Sequence, residues 1–168
     1  MLRERAPGIE ISAAHRIEAH PSEAQIEDLR DRLSRAERPL AILGGGGWTR
    51  QAWYDMHRFA EATGLPMAAA FRCQHLFDNR HDNYVGDVGI GINPKLAARV
   101  KDADLLIAIG PRLGEMTTGG YGLIEIPFPK QDLVHVYAGA EELGRVYRPA
   151  LAINASMPAF AAAAAAAI

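Results

Sequence analysis

Three glycine-rich segments hold most of the residues whose types and spacing could do chemistry. Gly44-Gly45-Gly46-Gly47 stands between an apolar run and a helix signal. Gly86-Asp87-Val88-Gly89-Ile90-Gly91 comes next, and then Gly110-Pro111-Arg112-Leu113-Gly114, which continues into Thr117-Thr118-Gly119-Gly120. Glycine lets a backbone turn sharply and approach a ligand, and a helix that starts there offers free N–H groups to a phosphate. The chemistry these segments suit is nucleotide binding. A dinucleotide fingerprint needs G-x-G-x-x-G and an acid closing the second strand. Here Gly44-x-Gly46 runs into Trp48-Thr49, and the second apolar run ends Ala69-Ala70-Phe71-Arg72, so the third glycine and the acid are both missing. Arg72 is placed to meet a 2′-phosphate, which with the glycine turn is the whole support for an NADP site.

Groups able to make or break bonds are scattered. No G-x-S-x-G elbow, H-E-x-x-H pair or P-loop occurs. His75, Asp78, His81 and Asp82 form a polar cluster whose spacing matches no metal-ligand template, so a solvated loop is expected and no metal site. His57 on a helix and His135 in a strand read as packed or surface histidines. Cys73 follows Arg72, a charge that would favour the thiolate, but no recurring thiol motif surrounds it. Glu115, Glu141 and Glu142 read as solvated. No residue stands out as catalytic.

The elements that must position these groups alternate between helix and strand. Ser22 and Gln25 form a capping box, followed by Ile26, Leu29 and Leu33 at helical spacing up to about Ala36. Pro39–Leu43 reads as a buried strand. Thr49 caps a helix with Trp53, Met56, Ala60 and Thr63 on one face, and Gly64 ends it. Pro66–Phe71 is a second apolar run. Asn93-Pro94 opens a helix carrying Leu96, Ala97 and Val100. Asp104–Ile109 is the clearest strand, with Leu133–Tyr137 and Ala150–Ile153 as two more. Ala140–Tyr147 reads as a short helix, and Ser156 caps a final helix made mostly of alanine. Strands apolar on both faces, alternating with helices, mean a parallel sheet covered on both sides. The expected fold is a doubly wound, Rossmann-like α/β domain.

Composition bounds the rest. The chain has 168 residues, one cysteine, 18 Lys+Arg against 20 Asp+Glu, and 49% hydrophobic residues. That length predicts one domain over 21–168, with 1–20 a charged linker or arm. A net charge of -2 leaves no basic footprint for nucleic acid. The longest apolar run, Ala159–Ile168, falls short of a membrane span. The first twenty residues lack the apolar core of a signal peptide, and with one cysteine this points to a cytoplasmic setting.

Five segments in order carry a resemblance. They are Arg38-Pro-Leu-Ala-Ile-Leu-Gly-Gly-Gly, Phe59-Ala-Glu-Ala-Thr-Gly-Leu-Pro66, Ala103-Asp-Leu-Leu-Ile-Ala-Ile-Gly-Pro-Arg112, Val134-His-Val-Tyr and Ala140-Glu-Glu-Leu-Gly144. Together they resemble the central domain of thiamine-diphosphate-dependent enzymes of the acetolactate synthase type, from Ser22 onwards. The resemblance implies about six parallel strands in a nucleotide-binding type of sheet. It also implies a parent enzyme that decarboxylates 2-keto acids or joins carbon to carbon. In that family thiamine diphosphate and magnesium sit in the N- and C-terminal domains. Gly86-Asp87-Val88 looks like half of the family's metal motif, without its downstream asparagine. The chain is therefore expected to be a fragment, inactive alone and a monomer, from a homodimeric or homotetrameric parent.

Some family members bind FAD, or ADP within coenzyme A, on the central domain. Carried over by motif, the contacts would fall on Gly44, Gly45, Gly46, Ala70, Phe71, Gly86, Asp87, Val88, Gly89, Gly110 and Arg112. FAD-binding members usually read His-Ile-Asp-Ile-Asp where this chain has His135-Val-Tyr137-Ala-Gly139, and a Gly-Asp pair where it has Ala155-Ser156. Losing those acceptors weakens the FAD expectation. A free-standing FAD module, such as an electron-transfer flavoprotein domain, is the alternative; an NADP oxidoreductase lacks a visible proton donor.

Overall fold

The computed structural model describes residues 17–168, so most of the expected arm at 1–20 lies outside the described residues. The elements are α1 (Glu23–Arg35), β1 (Pro39–Leu43), α2 (Arg50–Thr63), β2 (Met67–Ala69), β3 (Tyr84–Asp87), α3 (Pro94–Asp102), β4 (Leu105–Ile109), β5 (Asp132–Tyr137), β6 (Leu151–Asn154) and α4 (Met157–Ala166), with single 3-10 turns at Gln74–Leu76 and Ala140–Glu142. All neighbouring strands pair parallel, in the order β3-β2-β1-β4-β5-β6. Chain order reverses between β1 and β4, so these two exits form the switch point where such sheets bind ligands.

Local chemistry explains most boundaries. Ser22 Oγ accepts the Gln25 N–H at 3.2 Å while the Gln25 side chain accepts the Ser22 N–H at 2.9 Å, closing the capping box. Thr49, Asn93 and Ser156 cap α2, α3 and α4 more simply, each side-chain oxygen accepting one first-turn N–H. Gly64 ends α2 in the left-handed region at φ 66°. Ala19, before α1, accepts the Ser156 N–H at 2.9 Å and so joins the two ends of the described chain.

The sheet is covered on both faces, as strands of this composition require. One face packs Ile26 and Leu29 of α1, Ala52, Met56, Phe59 and Ala60 of α2, and Phe160, Ala161 and Ala164 of α4 against Leu43, Met67, Ile107 and Val136. The other packs Leu96 and Val100 of α3, with Leu113, Leu123, Ile124 and Tyr147, against Leu40, Ala68, Leu106 and Leu133. Alanine along α4 lets its backbone lie close to the sheet and α2, and Phe160 is its one large fully buried side chain.

Two segments depart from the sequence reading. Gly86 and Asp87 lie in β3, an edge strand, and not in a loop beyond the strands. Ala140–Tyr147 forms only the Ala140–Glu142 turn, because Gly144 at φ 80° breaks the helix. On α2 the buried face is led by Ala52, Met56 and Phe59, with Trp53 and Thr63 only half-buried. No helix among the described residues is long and apolar enough to cross a membrane.

Phe160 sets the spacing between α4, α2 and the sheet. Phe160→Ala should lower unfolding stability by about 3–5 kcal/mol, read from the urea midpoint at unchanged slope.

Candidate functional site

The carboxyl ends of β1, β2, β4 and β5 converge at the switch point, and backbone contacts build the turn there. Gly44 donates its N–H to Ile109 O at 3.0 Å, Ala70 donates to Leu43 O at 2.7 Å, and Gly110 donates to Val136 O at 2.9 Å. Gly45 has φ 70°, and a Cβ placed on it would collide with the Gly110 carbonyl. A Cβ on Gly110, at φ 86°, would collide with Gly44 O and lie 2.6 Å from the Met157 sulfur. One on Gly44 would sit 2.8 Å from Ala70 Cβ. Gly44, Gly45, Gly110 and Ala70 therefore interlock with one another. Gly46 differs: it is exposed, with nothing within 4 Å of a Cβ position, and it leads into the N-terminus of α2.

Arg112 leaves this edge towards β5. Its Nε donates to the Tyr137 hydroxyl at 3.2 Å and lies 3.4 Å from a Glu142 carboxylate oxygen. Arg145 reaches the same carboxylate at 3.4 Å. Glu142, read from sequence as solvated, is buried and holds two arginines. The Tyr137 hydroxyl, followed by the Glu142 carboxylate, raises the Arg112 pKa. Below them His135 is buried, its Nε2 3.0 Å from Pro111 O, and burial pushes its pKa down despite that bond and Glu142. No sequence motif marks this tie of Tyr137, Glu142 and Arg145 between β5 and the turn after it.

The remaining expected contacts divide. Val88 and Gly89 are buried beyond β3, and a Cβ on Gly89 would stand 3.1 Å from Phe71 Cβ, so the Val88–Gly89 and Phe71 segments do meet. Gly86 and Asp87 stay within the strand, where Asp87 pairs with Ala69. Among the described residues no three His, Cys, Asp or Glu gather to hold a metal ion. Arg72, at φ 61°, turns its guanidinium over the Phe71 ring at 5.2 Å. Burial pushes the Cys73 thiol up, against a bond from the Gly45 backbone that lowers it, the opposite of an activated thiolate. Polar clefts lined by Arg32, Asp104 and Asp132, and by Arg38, Asp102 and Lys130, lie at the opposite, amino edge of the sheet.

With this geometry in place, comparison with known proteins decides the family. The family model for the thiamine pyrophosphate enzyme central domain matches residues 26–164. The chain belongs to that family. It is 27% identical over 126 residues to the acetolactate synthase large subunit of Corynebacterium glutamicum, covering 75% of this chain and 20% of that protein. It is 33% identical over 114 residues to 3D-(3,5/4)-trihydroxycyclohexane-1,2-dione hydrolase 2 of Bacillus cereus, covering 66% of this chain and 17% of that one. The structure of benzoylformate decarboxylase from Polynucleobacter necessarius shares the fold, with a TM-score of 0.73, 20% identity, and coverage of 98% of this chain and 30% of that one. The chain thus spans about a fifth of the length of these curated relatives.

Two outcomes follow for this central domain. Gly45→Ala should cost at least about 1–2 kcal/mol from its left-handed backbone alone, plus the collision with Gly110, whereas Gly46→Ala should stay within about 1 kcal/mol of the parent. Urea denaturation of the two variants separates them. His135 is buried neutral, so the unfolded chain binds its proton more readily. Its effect on stability is therefore nil above the ordinary histidine range and grows as pH falls through it. Unfolding stability should drop between pH 7.5 and 5.5, and His135→Gln should shrink that drop.

Proposed function

We propose that this chain is the non-catalytic central domain of a thiamine-diphosphate-dependent enzyme that decarboxylates 2-keto acids or joins carbon to carbon. The family match over residues 26–164 carries this reading. The state of the polar groups supports it, since His57, His135 and Glu142 are each engaged with partners inside the fold. Its role is support: a rigid sheet to which N- and C-terminal domains of a longer chain attach, in a homodimer or homotetramer. Thiamine diphosphate, held with magnesium in those domains, supplies an electron sink beside the keto carbon. The family match also ranks this reading above the free-standing flavoprotein and NADP alternatives.

A second reading, FAD or ADP on the carboxyl edge, draws support from one feature. Gly46 and Gly47 are exposed in front of the α2 N-terminus, a place for phosphate. Against a full FAD site, Arg112 is already engaged by Tyr137 and Glu142. On this reading Gly45–Gly47 would take phosphate, Phe71 and Val88–Gly89 would flank the ligand, and Arg112 would have to leave Glu142.

The chain, supplied with thiamine diphosphate, magnesium and a 2-keto acid such as benzoylformate, should give no product; turnover would overturn the first reading. Melting with FAD or ADP tests the second. A ligand at 100 times its Kd stabilises by about 2.7 kcal/mol, a Tm rise of roughly 2–4 °C at this size. Glu142→Gln, which loosens Arg112, should enlarge any such rise.

A further inference from the structure

The connection from β2 to β3, residues 70–83, carries no α-helix, and imidazole rings fasten it to α2. His57 of α2 is buried between the Trp53 ring, with centroids 3.6 Å apart, and the Phe77 ring at 3.9 Å and 10°. Its Nε2 accepts the backbone N–H of Asp78 at 3.1 Å, which fixes the proton on Nδ1, 2.8 Å from Trp53 O. His81 repeats the device. Its Nδ1 accepts the Asn83 N–H at 3.1 Å, so its Nε2 carries the proton towards Glu61, 3.0 Å away. Asn83 completes the joint by donating to Ala60 O at 3.1 Å and Leu65 O at 2.9 Å.

The Asp78 bond exists only while the His57 ring is neutral. A protonated imidazole has two donors and no acceptor, so the Asp78 N–H would face an N–H. A donor stripped of its partner inside a packed joint carries its full desolvation cost. The charged groups facing His57 are His81, Asp78 and Glu61, with Arg80 paired to Asp78 at 3.4 Å. Burial is the largest influence on His57 and favours the neutral ring; His81 adds to it, and Asp78 and Glu61 oppose it. The connection begins at Ala70 and Phe71 and includes Cys73, which the Gly45 backbone contacts. What loosens residues 70–83 therefore also unseats one wall of the switch-point turn.

We propose that His57 is a proton-sensitive latch that holds the 70–83 connection on α2 when neutral and releases it on protonation. The inference rests on this joint and is independent of the nucleotide reading.

Amide hydrogen exchange followed by NMR, corrected for intrinsic rates, tests it on the 168-residue chain. Between pH 7.5 and 5.5 the Asp78 amide should lose protection by about tenfold, while β4 and β5 amides keep theirs. The His57 ring resonances should titrate at the same midpoint. His57→Gln supplies an acceptor that does not titrate, so protection at Asp78 should persist at pH 5.5. His57→Phe keeps the stack without the acceptor and should exchange fast at Asp78 at both pH values. Unchanged protection in the parent chain at pH 5.5 would overturn the latch, as would an equal acid loss in His57→Gln. Should neither variant fold, coincidence of the ring titration with the Asp78 amide in the parent chain decides the matter.

Discussion

The close approach of β1 and β4 at their carboxyl ends is the constraint on which the rest of this structure depends. The strands pair through five positions, from Pro39 with Leu105 to Leu43 with Ile109, and the chain then leaves both in opposite senses. Two backbones can separate from so narrow a gap only if no side chain stands between them. Gly44, Gly45 and Gly110 meet that condition, and Ala70 fills the remaining space at the end of β2. From this point α2 is launched through Thr49, and the segment after β4 carries Pro111 to His135 and Arg112 to Tyr137. Three of the glycines expected to contact a nucleotide also serve as joinery of the sheet itself.

Charge is distributed to protect the two sheet edges differently. At the amino edge Asp104 accepts the N–H groups of Glu37 and Arg38 at 2.8 and 2.9 Å, pinning the entry to β1 beside β4. Burial pushes its carboxyl up, but bonds from Glu37, Arg38 and Leu105 win and hold it below the usual range. Arg32 of α1 bridges Asp28 and Asp132, the first residue of β5. At the carboxyl edge the corresponding tie is Arg112 and Arg145 on Glu142. Exposed pairs of this kind contribute little stability, but a buried carboxylate fixes where its arginines point. That placement engages Arg112 with Tyr137 and Glu142.

Much of this was legible in the sequence, for identifiable reasons. The strands β1, β4 and β5 are apolar on both faces and bounded by Gly, Pro or Asp, so period and punctuation agree. Caps at Ser22, Thr49, Asn93 and Ser156 are local and need no knowledge of the fold. β3 escaped because an edge strand can be short, half-exposed and polar, and Tyr84-Val-Gly-Asp87 with Gly86 at φ 113° has no strand signature. The helix expected after β5 failed for the converse reason: Gly144, at φ 80°, breaks what local propensity favours. His57 and His81 read as bland because their meaning lies in which backbone N–H each ring faces across a loop. No spacing rule encodes that.

The measurement that tests the account most directly is amide hydrogen exchange at Gly44, Ala70 and Gly110 in the ligand-free chain. If backbone interlocking builds the switch-point turn, these three amides exchange as slowly as those in the middle of β4 and are indifferent to added FAD or ADP. Fast exchange that slows only when nucleotide is added would contradict it, and would make the glycine turn a ligand site first and a sheet joint second.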